Sequence, residues 1–277
     1  MKKAKRMVKR IFKIIKLEEM SILPGQLAFF FVLSIFAMFP LIGLIGSSFI
    51  TNGLISSIDD SLPTAVSTIL KSLMDVDVSG AGVILFVIFS LYFASDGCYA
   101  MIITSNVIYK IKGNSFLKQK IKALFMTIVL IFLLLFIVLV PAFGDLILSL
   151  IQKHYPGRVI ETIIIGFNWL KYPISFILIF MGVKILYTLA PDEKIESRHT
   201  NLGAFATTIL WIIITVVYSI YLNNINTYNI FYGSLANVVI LLFWTYLLAY
   251  VFTLGMAINT DHYLESKKLS NENEKET

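Results

Sequence analysis

The sequence predicts an all-α, polytopic membrane protein with about six transmembrane helices, an N-terminal amphipathic interfacial helix, and a short helix between spans one and two. Three observations predict it. Of the 277 residues, 57% are hydrophobic and 14% charged, against roughly a quarter charged in a soluble domain. The apolar residues fall into runs of 20 or more with few charges, long enough to cross ~30 Å of hydrocarbon as helices. Such a run must satisfy its own backbone hydrogen bonds in lipid, and no strand-like alternation of the outer-membrane barrel kind competes. Finally, Lys and Arg are distributed very unevenly between the two sets of loops.

Residues 1–20 carry eight Lys/Arg; Val8, Ile11, Phe12 and Ile15 recur at helical spacing while Lys9, Lys13 and Lys16 mark another face. That pattern reads as a basic amphipathic helix lying on anionic headgroups; the plainer alternative is a solvated arm. It is not a cleavable signal, because the apolar stretch that follows is too long and ends in no small-residue cleavage site. The membrane domain covers 21–262, with spans at about Pro24–Ile50, Gly80–Tyr109, Ile121–Leu150, Ile165–Ala190, Leu202–Leu222 and Phe231–Asn259. Between the first two, Val66, Ile69, Leu70 and Leu73 keep a helical period after Pro63. The tail, 263–277, is polar and charged and reads as disordered.

The N-terminal segment, the Lys110–Lys122 loop, the Pro191–Thr200 loop and the tail together hold 18 Lys/Arg; Lys71, Lys153 and Arg158 are the three on the other side. The positive-inside rule therefore puts both termini in the cytoplasm of a bacterial cell membrane. Tyr218, Tyr221, Tyr228, Phe231 and Tyr232 form an aromatic belt at the opposite boundary. The net charge of +6 lies at membrane edges, so it reads as a topology and headgroup signal rather than a nucleic-acid footprint. Membrane lipids are the expected partners; no cofactor is expected.

Polar residues inside spans are the first place to look for function, because charge in hydrocarbon is costly. Asp96 lies about 16 residues into the second span, roughly 24 Å at 1.5 Å per residue. Lys184, toward the cytoplasmic end of the fourth span, is within plausible reach, which suggests an Asp96–Lys184 ion pair. The plainer alternative is a Lys184 that snorkels and an Asp96 that faces water or is protonated. Ser34, Asn106 and Asn237 add polar groups and complete a candidate intramembrane polar path with Asp96 and Lys184. Asp145, near the outer interface, reads as solvated. Small-residue stripes (Gly43, Gly46 and Ser47; Ala94, Ser95, Gly97 and Ala100; Gly233, Ser234, Ala236 and Gly255) read as close helix packing rather than a substrate path.

No catalytic or metal-ligating constellation is legible. His154, His199 and His262 are scattered, Cys98 is the single cysteine, and no HxxxH, CxxC, GxSxG or Walker pattern occurs. The expectation is therefore a protein that is not an enzyme.

Several stretches together resemble the YihY/BrkB family of bacterial inner-membrane proteins, once labelled ribonuclease BN. Span one reads Leu27-Ala28-Phe29-Phe30-Phe31-Val32-Leu33-Ser34, similar to the family's LAYY-x-LLS run. Ser95-x-Gly97 and Asn106-x-x-Tyr109 follow in span two, then Tyr187-x-x-x-Pro191, Leu202-Gly203-Ala204 and Trp211. The last third carries Tyr228, Tyr232-Gly233-Ser234, Trp244 and Gly255-x-x-x-Asn259. The sequence departs from the family pattern at Ala37 (a Pro there), Leu202 (the Pro of its PGA motif) and Ala257 (an acidic residue). The resemblance covers about residues 10 to 262. It implies a six-span protein of the cytoplasmic membrane, described as a transporter or envelope-maintenance factor and linked in some relatives to lipid export. The favoured reading is a protein that moves or accommodates an amphipathic, lipid-like substrate. A non-transporting scaffold for envelope partners is the alternative, and a membrane-associated ribonuclease the third.

Overall fold

A computed structural model describes residues 18–49, 81–154, 157–224 and 235–276. Every regular element among them is helical: α1 (Glu19–Phe49), α2 (Ala81–Tyr109), α3 (Phe116–His154), α4 (Arg158–Leu189), a single 3-10 turn (Ser197–Thr200), α5 (Asn201–Asn224) and α6 (Leu235–Glu276). Each of the six α-helices contains a segment long and apolar enough to cross a membrane: Glu19–Met38, Ile84–Tyr109, Phe116–Ile137, Thr162–Leu189, Ser197–Tyr221 (which takes in the 3-10 turn) and Val238–Thr260. These are the six spans the apolar runs predict, although the first and third segments stop at Met38 and Ile137, well before the expected Ile50 and Leu150. Phe29, Phe89, Phe93, Phe132, Phe136 and Trp169 are exposed on them. In water such a surface would drive aggregation; acyl chains solvate it.

The described residues of the N-terminal segment 1–20, the 52–79 helix and the aromatic turn around Tyr228 do not extend to the calls made there: 1–17, 50–80 and 225–234 lie outside them. The side chains of Ser47, Asp145 and Asn237 and the surroundings of Gly43 and Gly46 lie outside them too, although each of these residues is helical. α6 continues through the tail to Glu276 as one 42-residue helix. Residues 263–276 contain no Gly or Pro to break a helix.

The helices contribute to two compact units, and the division falls inside α1, α2, α3 and α4. The first unit takes the described residues of Met1–Leu33, Asp96–Ala123 and Val183–Thr277. Because it holds the Lys110–Lys122 and Pro191–Thr200 loops, we call it the basic unit. At its centre every residue of α6 from Val251 to Thr260 is buried, so this stretch is covered all round rather than along one stripe. Met20, Leu23 and Leu27 of α1 and Met101, Ile102, Ile108 and Tyr109 of α2 are buried in the same unit. Buried polar residues are frequent there: Thr104, Ser105, Asn106, Gln119, Thr200, Thr207, Thr208, Thr253, Asn259 and Thr260.

The second unit takes the described residues of Ser34–Ser95 and Leu124–Gly182. Its core is a cluster of Met38, Leu41, Ala94 and Ile131, with Ala37, Val87, Leu91, Leu130 and Leu135 packed on it. Ser34, Ser90, Ser95 and Thr127 are buried in the same unit.

Candidate functional site

α2 ends at Tyr109 with a left-handed residue, Lys110, at φ 55°. The Lys110 N–H donates to the Val107 carbonyl at 3.2 Å and the Ile111 N–H to that of Asn106 at 2.9 Å, the two bonds of a Schellman cap. The cap reverses the chain sharply. α3 then begins at Phe116 rather than Ile121, with the Phe116 ring edge-on to Tyr99, 5.7 Å between centroids. Tyr99 stands ten residues before the end of α2, so α3 starts alongside α2 about 15 Å short of its end.

That offset decides the partner of Asp96. Lys120 Nζ donates to Asp96 Oδ1 at 2.6 Å, and the same ammonium lies 5.8 Å from the centre of the Tyr99 ring. The predicted Asp96–Lys184 pair is thus replaced by Asp96–Lys120. Lys120, counted in the sequence as a loop charge, sits in the second turn of α3 and inside the apolar segment Phe116–Ile137, while Asp96 is inside Ile84–Tyr109. The pair is lopsided: the Lys120 side chain is 7% exposed and that of Asp96 26%. Lys184 is half-buried, and its carbonyl accepts from Thr188 Oγ1 at 2.8 Å.

Asn106 goes elsewhere as well. Its Nδ2 donates to Asp192 Oδ2 at 2.8 Å, and its Oδ1 accepts from the Asp192 N–H at 3.0 Å. Asp192 Oδ2 also accepts from the Asn114 N–H at 2.9 Å and from Gln119 Nε2 at 2.7 Å. Lys122 Nζ donates to Asp192 Oδ1 at 3.1 Å and to the carbonyls of Ala190 and Pro191 at 3.0 and 2.6 Å. One carboxylate, 2% exposed, therefore ties the end of α4 to the end of α2, the loop and the start of α3. Burial by itself would raise the Asp192 carboxyl; the bonds from Gln119, Asn114, Lys122 and Asn106 outweigh it and hold it well below the usual carboxylate range.

A third polar assembly joins α4, α5 and α6. Tyr187 Oη is bonded to Thr207 Oγ1 at 2.7 Å and donates to the Phe252 carbonyl at 2.8 Å. The Gly203 N–H donates to Asn259 Oδ1 at 2.7 Å, and Trp211 Nε1 donates to the Leu248 carbonyl at 2.9 Å. A Cβ on Gly203 would run into the Gly255 carbonyl and the Asn259 side chain; one on Gly255 would meet Thr207 Oγ1 and Tyr187 Oη. Nearby, His199 is buried with its ring edge-on to Tyr263, which meets Tyr109 in the same way.

Of the five residues of the predicted path, Asp96, Asn106 and Lys184 are in the basic unit and make no bond with one another. Ser34 is buried in the second unit, and Asn237 is a helical residue of α6 whose side chain is outside the described set. Asp192, Gln119, Lys120 and Lys122 were missed. One signal was available for Asp192: an acid directly after the proline that ends a span, facing a loop of five lysines. Among the described residues, no three His, Cys, Asp or Glu side chains converge as metal ligands.

Six apolar helices, a basic end stitched together by polar side chains and an ion pair inside the spanning segments define a multi-pass helical membrane protein. The chain belongs to the virulence factor BrkB family, whose profile matches residues 11–277. It is 28% identical over 275 residues to a ribonuclease-like protein, YfkH, of Bacillus subtilis, covering 96% of this chain and 98% of that one. It is also 35% identical over 91 residues to a UPF0761 membrane protein of Aliivibrio salmonicida, covering 33% of this chain and 28% of the relative. A UPF0761 membrane protein of Coxiella burnetii is 28% identical over 102 residues, 35% of this chain and 37% of the relative. No solved structure matches the chain. Five residues that carry the family resemblance, Tyr187, Gly203, Trp211, Gly255 and Asn259, take part in joining α4, α5 and α6.

Proposed function

We propose that this chain moves or accommodates an amphipathic, lipid-like substrate in the bacterial cell membrane, with both termini in the cytoplasm. The observation that carries the reading is the Asp96–Lys120 pair: two charges inside spanning segments, with the acid the accessible member. Both residues lie inside apolar segments, toward their basic ends, and an ionisable pair within spanning segments is a functional candidate. The lysines and arginine of the basic end fit a cytoplasmic surface against anionic headgroups. On this reading the chain has no catalytic centre, and its work concerns position in the bilayer rather than bond making.

A second reading, a non-transporting scaffold for envelope partners, is favoured by the way Asn106 and Gln119 are bonded to Asp192 and Tyr187 to Thr207 and the Phe252 carbonyl. Side chains used up in packing line no path.

Reconstitution separates the two. Full-length protein in liposomes with fluorescent phospholipids in one leaflet is expected to speed their redistribution, and Asp96→Asn to slow it several-fold. Redistribution no faster than in protein-free liposomes favours the scaffold. Cysteines placed singly in the Lys110–Lys122 loop and at residue 153 test orientation: an impermeant thiol reagent added to intact cells is expected to label only the second.

A further inference from the structure

We infer that the accessible face of Asp96 is a binding site for the primary ammonium of a membrane lipid headgroup, of the phosphoethanolamine type. The inference rests on the reading of the Asp96–Lys120 pair given above and names the chemistry it would take.

A carboxylate offers two oxygens, each with room for more than one donor. Lys120 takes Oδ1 at 2.6 Å, and among the described residues no donor to Oδ2 is found. Lys120 is nearly buried and the exposed part of the pair is the acid, so the open valence is that of an anion toward its surroundings. Those surroundings are apolar: on α3, Phe116 is 60% and Leu117 67% exposed, four and three residues before Lys120 and therefore on its side of the helix. The Tyr99 ring, against which Phe116 packs, supplies an aromatic face beside the carboxylate; it already holds the Lys120 ammonium, and such faces attract cations generally.

The level fits too. α3 enters its apolar segment at Phe116 and carries Lys118, Lys120 and Lys122 in its first two turns, the pattern of a helix leaving a basic headgroup layer. A phosphate-only headgroup would meet Asp96 with like charge. A headgroup ending in a primary ammonium supplies the missing donor and the missing charge together, in a water-poor site where such a bond is strong.

The test compares headgroups on the full chain. Wild-type protein in detergent is exposed to equal amounts of phosphatidylethanolamine, its mono- and dimethylated forms, phosphatidylcholine and phosphatidylglycerol with matched acyl chains, and retained lipids are counted by native mass spectrometry. Phosphatidylethanolamine is expected to be retained several-fold over phosphatidylcholine and phosphatidylglycerol, with retention falling at each N-methylation as donors are removed. Asp96→Asn is expected to abolish the preference. Equal retention of all headgroups by the wild type, which needs no variant to be folded, overturns the inference. So does a preference that survives in Asp96→Asn. Soluble ethanolamine is expected to leave the preference unchanged; if it displaces the lipid at equal concentration, the assignment to a lipid headgroup fails. Retention without redistribution in liposomes would sink the transport reading and leave this site standing, whereas redistribution without headgroup preference would do the reverse.

Discussion

The basic unit and the second unit differ in the polar side chains described in their interiors. In the second, the apolar Met38, Leu41, Ala94 and Ile131 meet, and the buried polar residues are the small hydroxyls Ser34, Ser90, Ser95 and Thr127. In the basic unit, buried Asn, Gln, Thr, Tyr and Asp side chains bond across three or four elements. Hydrocarbon is as apolar as leucine, so apolar contacts between spans gain van der Waals packing but little hydrophobic driving force. Hydrogen bonds and close glycine approach are directional and fix which surfaces meet. The comparison teaches that helix register in this chain is set mainly where the polar contacts are.

Substitutions in each unit can break or sharpen that contrast. The largest effect belongs to Gly203→Leu. Its side chain would have to occupy the space of the Gly255 carbonyl, and backbone cannot yield as a side chain tip can. Loss of folded protein is expected, read as an early-eluting aggregate on size exclusion in detergent.

Next is Asp192→Asn. The amide would point a donor at a site that now receives three, and the charge facing Lys122 would be lost. Destabilisation of about 3 kcal/mol is expected from equilibrium unfolding in mixed micelles. The wild type should also show an acid limb. Because the folded carboxyl lies below its unfolded value of about 4, its contribution is complete above pH 4 and is lost as pH falls from there through the folded value. Asp192→Asn should lack that limb.

Leu41→Ala, in the second unit, is expected to cost less, about 1–2 kcal/mol by the same unfolding assay. Burial of the same size in a water-soluble core costs 2–5 kcal/mol, part of which is transfer from water that lipid does not impose. A cost equal to that of Asp192→Asn would erase the contrast. The smallest effect is a gain. Lys110→Gly relieves a side chain held at φ 55° in the cap of α2 and should stabilise by about 1 kcal/mol.

The six helices were legible because a span must be written as a contiguous apolar run, and nothing distant is needed to read it. The polar assemblies were not. Asp192 meets Asn106 and Gln119 across 86 and 73 residues, and no local pattern announces such a meeting. The partner of Asp96 was misassigned for a definable reason. Counting depth from span ends placed Lys120 outside the membrane segment, whereas the cap at Lys110 lets α3 begin beside Tyr99 and brings its second turn up to the acid. Conversely, Gly203, Gly255 and Asn259 were noticed as family positions, but their purpose as a helix lock required seeing α5 and α6 cross.

The two acids of the basic unit give the account its sharpest test, since one is a tie and the other is proposed as a working group. Asp96→Asn and Asp192→Asn should be measured side by side for unfolding free energy in micelles and phospholipid redistribution in liposomes. The account predicts that Asp96→Asn, which keeps an oxygen for Lys120, slows redistribution several-fold at a stability cost clearly smaller than that of Asp192→Asn. An Asp96→Asn protein as destabilised as Asp192→Asn, or one that redistributes lipid at the wild-type rate, would contradict it.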